Sequence, residues 1–334
     1  MKPESEPESG RAPVGAATRE LGRTGLVVSR VGLGLAAVGR PAYITLGRAT
    51  DLGTDRSVEA LRTRSHELLD AAYATGVRYV DAARSYGRAE GFLGAWLSSR
   101  GLAPRTVTVG SKWGYAYTGE WRLDAQVQEV KDLSVDTLRR QFAESRALLG
   151  DHLGLYQIHS ATLESGVLED QSVLRQLRRI KEEGVAIGLT VTGPRQPETI
   201  ERALALGLFD TVQATWNLLE RSATEALDRA HTAGLGVIVK EALANGRLTA
   251  SGAEAPLLAV ARDYELAPDV IALAVVLDQP WADVVLSGAA TTEQLRSNLA
   301  ALDVVVDHSM QQRLRQLAER PERYWSERAR LVWS

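Results

Sequence analysis

The chain has 334 residues, 45% hydrophobic and 24% charged, with a net charge of −3; that balance suits a globular protein with apolar material for a substantial core. Basic and acidic residues are interspersed, which excludes the electrostatic footprint of a nucleic-acid binder or of a ligand for anionic membranes. There is no cysteine, so disulfides, thiolate nucleophiles and cysteine metal sites are excluded, and the five histidines lack the close spacing of paired metal ligands.

Residues 1–17 are rich in Glu, Pro, Ser and Gly and contain no apolar stretch of the signal-peptide kind, so they predict a disordered tail ahead of a domain over 18–334. No apolar run approaches the length of a membrane span, and a cytoplasmic location with no membrane partner is expected. Residues 21–35 predict a hairpin turning at Arg23, Thr24 and Gly25, then a first apolar strand. Residues 32–37 match G-x-G-x-x-A, but a dinucleotide-binding loop needs a helix to open at once and present its N-terminus to the pyrophosphate. Gly39, Pro41 and a β-rich segment follow instead, so the Rossmann reading is set aside.

From Val58 the alternation is regular. A helix through Leu61, Leu68, Leu69 and Tyr73 stops at Gly76, and a strand over 77–81 follows. Next come a helix near 90–99, a strand over 106–112 and a polar aromatic loop with Trp113, Tyr115, Tyr117 and Trp121. Ser134 caps a helix carrying Leu138, Phe142 and Leu149, ahead of a strand over 153–159. Three more helix–strand pairs follow: 170–183 and 185–191, 196–206 and 210–215, 222–233 and 235–240. Apolar helices over 256–264 and 268–277 precede a last strand, 282–286, and a helix over 292–302. Counting from Val31 this makes eight short apolar strands, each followed by helical sequence. Strands buried on both faces in this order predict an α/β fold, a single (β/α)8 TIM barrel with an N-terminal hairpin and a C-terminal helix and tail. The tail carries Tyr324, Trp325 and Trp333 and should dock on the barrel to bury them.

In such a barrel, reactive groups sit at the C-terminal ends of the strands. Asp81 ends the second strand, Lys112 the third and His159 the fourth, and Tyr86 lies in the loop after the second. On its own, an Asp ending a strand is more often a cap and a Tyr before Gly a packed ring; the basic groups on the next two strands reverse that weighting. A phenol ordinarily titrates near about 10, and a neighbouring ammonium is expected to bring it down. The carboxylate keeps the lysine charged, and the imidazole can donate to an oxygen gaining negative charge. The set suits reduction of a carbonyl group, with hydride to carbon and a proton to oxygen.

The segments DAARSYGRAE, SKWG, YQIHS, IGLTVTG and VQATWNLL, in this order at strand ends, resemble the aldo-keto reductase superfamily over about residues 21–302. The resemblance implies an NAD(P)H-dependent oxidoreductase acting on a small-molecule aldehyde or ketone. Tyr86 would be general acid, Lys112 and Asp81 would tune it, and His159 would orient the carbonyl. It also implies a nicotinamide cofactor, NADPH/NADP+ by preference with NADH admitted, held without a Rossmann loop. Thr190 and Gln213 match the positions that hold the carboxamide, and Trp216 the aromatic that stacks on the ring. Gly288, Gln294 and Asn298 match the phosphate and adenosine segment, with Lys240, Arg247 or Arg296 as phosphate partners. The sequence departs from the family pattern at Val191, at Leu35 and Ala36, and at Gly288 and Gln294, where many members carry Lys and Arg. A second reading is a nicotinamide-binding regulatory subunit with little turnover, against which the intact His159 argues. Substrate identity and oligomeric state are not legible.

Overall fold

The computed structural model describes residues 18–252 and 254–333, so the expected tail over 1–17 lies outside the described residues. The chain opens with the predicted hairpin, β1 (Thr18–Glu20) antiparallel to β2 (Val27–Ser29). It is followed by β3 (Val31–Gly34), a short helix α1 (Arg48–Leu52) and helix α2 (Val58–Ala74), capped by Ser57 accepting from the Ala60 amide. The alternation continues with β4 (Tyr79–Asp81), α3 (Ala89–Ser99) and β5 (Thr108–Trp113). After a small hairpin, β6 (Tyr115–Tyr117) with β7 (Glu129–Lys131), come α4 (Val135–Leu149), β8 (Leu153–Ala161), α5 (Gln171–Glu182) and β9 (Ala186–Val191). The chain closes the barrel with α6 (Gln196–Leu206), β10 (Thr211–Thr215), α7 (Thr224–Thr232), β11 (Gly236–Lys240), α8 (Ala255–Asp263), α9 (Pro268–Leu277) and β12 (Val284–Ser287). Helices α10 (Thr292–Ala300), α11 (His308–Leu314) and α12 (Pro321–Ala329) complete it.

Eight parallel strands form a closed barrel in the order β10-β11-β12-β3-β4-β5-β8-β9, which is the predicted (β/α)8 fold. Closure satisfies every strand edge and buries both strand faces, so the strands read as apolar runs. The hairpin covers the N-terminal end. Leu21 and Val28 join Tyr79, Leu155, Ile238 and Val284 in one buried cluster, and the Arg23 amide donates to the Gly234 carbonyl at 3.1 Å. Gly22 allows this approach: with φ +54°, a Cβ there would lie 2.2 Å from the Gly236 amide nitrogen.

Three segments differ from the sequence reading. The aromatic loop after β5 folds back on itself as the β6–β7 hairpin, whose strands lie eleven or more residues apart and carry no tight-turn signal. Helix α1 interrupts the segment between β3 and α2, where Gly47 and Gly53 flank it with positive φ. The C-terminal region holds two helices where one helix and a tail were expected. Pro321 opens the second at its first turn, where a missing N–H costs nothing. The expected docking occurs: Tyr324 and Trp325 are buried, and the Tyr324 hydroxyl accepts from Asn217 Nδ2 at 3.1 Å.

Candidate active site

Barrel closure brings the ends of β4, β5 and β8 together at one rim. Asp81 ends β4 and Lys112 lies two residues beyond its cross-strand neighbour Gly110, so the lysine side chain reaches back over the strand end. Both are almost fully buried, at 2% and 1% exposure. The Lys112 ammonium donates to the Asp81 carboxylate, to the Ala82 carbonyl at 2.9 Å and to the Tyr86 hydroxyl oxygen at 3.2 Å. Its three N–H groups are therefore all used, and the phenol keeps its own O–H to donate elsewhere. Asp81 accepts as well from Gln213 Nε2 at 3.0 Å and from the Tyr79 hydroxyl at 3.2 Å. A charged pair this deep is tolerable only when its remaining lone pairs and protons find partners, and here they do.

His159 stands at an irregularity near the end of β8, where the register with β9 shifts between Ile158 and Ala161. Ser160 adopts φ +55°, its amide donates to Thr190 Oγ1 at 2.7 Å, and the kink turns the imidazole toward the rim. The His159 ring meets Tyr86 edge-on at a centroid distance of 5.6 Å and Tyr115 at 5.0 Å. Burial lowers the His159 pKa well below its usual value, and the Lys112, Lys240 and Arg40 cations push the same way, so the ring is neutral. The Tyr86 phenol moves opposite to the expectation from sequence. Burial, and then the Asp81 carboxylate, raise it well above the ordinary phenol value, with Arg40 opposing. The reason is that Lys112 arrives with its own counter-ion, so the cost of burying a phenolate prevails. The phenol holds its proton across the physiological range.

The remaining site residues lie along the ends of β9 to β12. Thr190 is fully buried on β9. Trp216 is 2% exposed, packs edge-on against Trp281 at 5.5 Å and donates its indole N–H to Thr224 Oγ1 at 2.8 Å, the contacts of a core ring. Lys240 donates to Thr215 Oγ1 at 2.7 Å and lies 3.9 Å from Glu241, and burial lowers its pKa to about 8. Gln294 accepts from the Ala290 amide and donates to Asp51, each at 2.8 Å, while Asn298 donates to Ser287 Oγ at 2.8 Å. Gly288 faces open space: a Cβ there would meet nothing within 4 Å. Beside it Thr291 caps the N-terminus of α10. Of the other phosphate candidates, Arg247 is bound to Glu319 and Glu254, and Arg296 lies 3.7 Å from Glu293.

The sequence model of the Aldo/keto reductase family matches residues 44–319. The chain belongs to this family. It is 27% identical to the NADH-specific methylglyoxal reductase of Escherichia coli (strain K12), over 91% of this chain and 98% of that one. It is 25% identical to the pyridoxal 4-dehydrogenase of Microbacterium luteolum, over 84% and 91%. A crystal structure of a putative aldo-keto reductase from Pseudomonas aeruginosa superposes with a TM-score of 0.64 at 28% identity, covering 87% of this chain and 96% of that one. The holo form of an aldo-keto reductase from Bacillus halodurans shares the fold with a TM-score of 0.71 at 21% identity, covering 91% and 96%. The protein is thus an NAD(P)H-dependent oxidoreductase of the aldo-keto reductase family.

The residues present fit a nicotinamide dinucleotide. At one end, buried Thr190 and Gln213 each retain a hydrogen-bonding group, the hydroxyl proton of one and the amide oxygen of the other. At the other end, Gly288 leaves room for a ligand against the α10 N-terminus, whose first backbone amides suit an anion. Sequence reasoning singled out Tyr115 within the aromatic loop but missed three other neighbours of this aldo-keto reductase site: Tyr79, Arg40 and Ser85. Tyr79 had a signal, because it lies two residues before Asp81 and so shares its strand face. The others reach the rim from loops, and nothing local announces them.

Proposed function

We propose that this aldo-keto reductase reduces a small-molecule aldehyde or ketone, or oxidises the corresponding alcohol, with Tyr86 as the general acid/base. The observation that carries the reading is the Lys112 ammonium, shared between the Asp81 carboxylate and the Tyr86 oxygen at 3.2 Å. In reduction the phenol gives its proton to the carbonyl oxygen, and the negative charge left on the tyrosine oxygen lies against the ammonium. Neutral His159 donates an N–H to the same carbonyl oxygen and so orients it. In alcohol oxidation the same groups run in reverse. A nicotinamide cofactor, when bound, supplies the hydride for reduction. Thr190 and Gln213 would hold its carboxamide, with Trp216 shaping the rim beside them. Lys240, Gly288, Gln294, Asn298 and the α10 N-terminus would hold its phosphates and adenosine.

The preference for NADPH expected from sequence is weakened by one contact. Gln294 is bound to Asp51, whose carboxylate would repel a 2′-phosphate held near Gln294. We therefore read NADH as the better accepted cofactor, a reading supported by the NADH-specific relative from Escherichia coli. Both parts are tested by following reduced-cofactor absorbance with a panel of aldehydes, NADH and NADPH in parallel. Tyr86→Phe should lose turnover by roughly 10²- to 10⁴-fold while cofactor still quenches tryptophan fluorescence. Equal turnover in wild type and Tyr86→Phe would refute the acid/base role.

A further inference from the structure

Arg40 is 2% exposed and stands in the loop after β3, against the aromatic wall of the site. Its Nη1 donates to the Ser85 carbonyl at 2.8 Å, the peptide group that immediately precedes Tyr86, and to Glu129 Oε2 at 2.8 Å on β7. Its guanidinium carbon lies 5.5 Å from the Tyr86 ring centroid, 5.5 Å from that of Tyr43 and 4.5 Å from that of Trp333. Trp333 in turn meets Tyr43 edge-on at 6.4 Å. The guanidinium is therefore held by three separated parts of the chain: the loop after β4, the β6–β7 hairpin and the C-terminal segment. The Lys112 ammonium also lies near the same Tyr86 ring, 4.7 Å from its centroid. A planar guanidinium suits this place better than a second ammonium, because it stacks on aromatic faces while its edges make directed hydrogen bonds.

We propose that Arg40 is a positioning residue for Tyr86: it braces the Ser85–Tyr86 backbone and keeps a positive charge against the phenol, while Glu129 and Trp333 hold the guanidinium in place. The proposal rests on Tyr86 being the acid/base. Lys112 differs in carrying Asp81 as a fully buried counter-ion, whereas the carboxylate opposite Arg40 is 24% exposed and partly solvated. The groups acting on Tyr86 are Asp81 from β4, Lys112 from β5, Glu129 from β7, His159 from β8 and Glu241 after β11, besides Arg40. The three carboxylates resist ionisation of the phenol, and the cations Lys112 and Arg40 favour it.

The test is the pH dependence of alcohol oxidation, in which Tyr86 must accept a proton, measured as kcat/KM on Arg40→Gln, Arg40→Lys and Glu129→Gln. Loss of the Arg40 charge makes the phenolate less stable, so the acidic limb of the Arg40→Gln profile should move up by about one pH unit. Arg40→Lys keeps the charge and should restore most of that shift. Glu129→Gln removes a carboxylate and should move the limb down, which keeps the proposal testable should Arg40→Gln fail to fold. A limb that stays in place in Arg40→Gln, or in Glu129→Gln where Arg40→Gln does not fold, overturns the proposal, as does a shift in Arg40→Lys equal to that in Arg40→Gln. Undiminished turnover in Tyr86→Phe is a separate outcome that overturns the underlying assignment of the acid/base.

Discussion

The Lys112 ammonium serves three acceptors at once, and removing it leaves the buried Asp81 carboxylate with the neutral donors Gln213 and Tyr79 as its hydrogen-bond partners among the described residues. Lys112→Met should therefore lose both turnover and stability, the latter by roughly 3–5 kcal/mol, measurable as a fall in the chemical-denaturation midpoint. The double variant Lys112→Met/Asp81→Leu should recover part of the stability and none of the turnover. Lys240 is different: burial lowers it to about 8, so its charge fades across an accessible range. If it holds a cofactor phosphate, affinity should be full below pH 8 and fall as pH rises through it, as read from fluorescence titrations at pH 6.5 and 9.5. Lys240→Met should be weaker at the lower pH and nearly indifferent to the change. At this scale the sequence exposed the residue types well. Asp81, Lys112 and His159 were legible because strand ends are where polar residues interrupt apolar runs, and Tyr86 because it lies in the loop that follows one of them. The protonation of Tyr86 was not, because it depends on burial and on the partner that Lys112 brings with it.

Helix α12 is tied to the barrel at two places. Arg328 donates from two nitrogens to Glu241, with its Nε to Oε2 at 2.8 Å, and Arg247 from the loop after β11 bonds Glu319 at 2.7 Å and lies 3.3 Å from Glu327. Glu241 itself sits at φ +55° beside the end of β11, a conformation retained where surrounding contacts over-determine it. Burial pushes the Glu241 carboxyl up, but Arg328 and Lys240 outweigh it and hold it at about 2, below the ordinary 4.5. A depressed carboxylate contributes stability that is present above its unfolded pKa and lost as pH falls through the folded one. The window is thus from 4.5 down to about 2. Arg328→Met should be less stable than wild type at pH 7, and the difference should narrow across that window in urea melts. A constant difference would sink the assignment of the ion pair. The docking of this segment was foreseeable from the cost of exposing Tyr324 and Trp325, whereas its second helix and its ionic anchors were not. Hydrophobicity reports that a segment must be covered; it does not report against what.

The whole molecule is organised by closure of the barrel, sealed at one end by the hairpin and open to chemistry at the other. No helix among the described residues is long and apolar enough to cross a membrane. Gly22→Ala tests the seal: with a Cβ 2.2 Å from the Gly236 nitrogen, the hairpin must lift off the strand ends. The melting temperature should drop, by about 1.5 °C for each kcal/mol lost in a chain of this size, with the cofactor's fluorescence response unchanged at lower temperature. From the amino-acid order alone came the eightfold alternation, the (β/α)8 architecture and the acid, ammonium and imidazole at successive strand ends with a phenol in the loop beside them, because periodicity and strand-end polarity are local properties of a chain. Only the tertiary structure decided which side chains surround them. Arg40 meets Glu129 across 89 residues, Arg328 meets Glu241 across 87, and Gln213 meets Asp81 across 132. Such pairs are set by how the barrel closes and what it buries, and burial also determines the protonation of Tyr86 and His159.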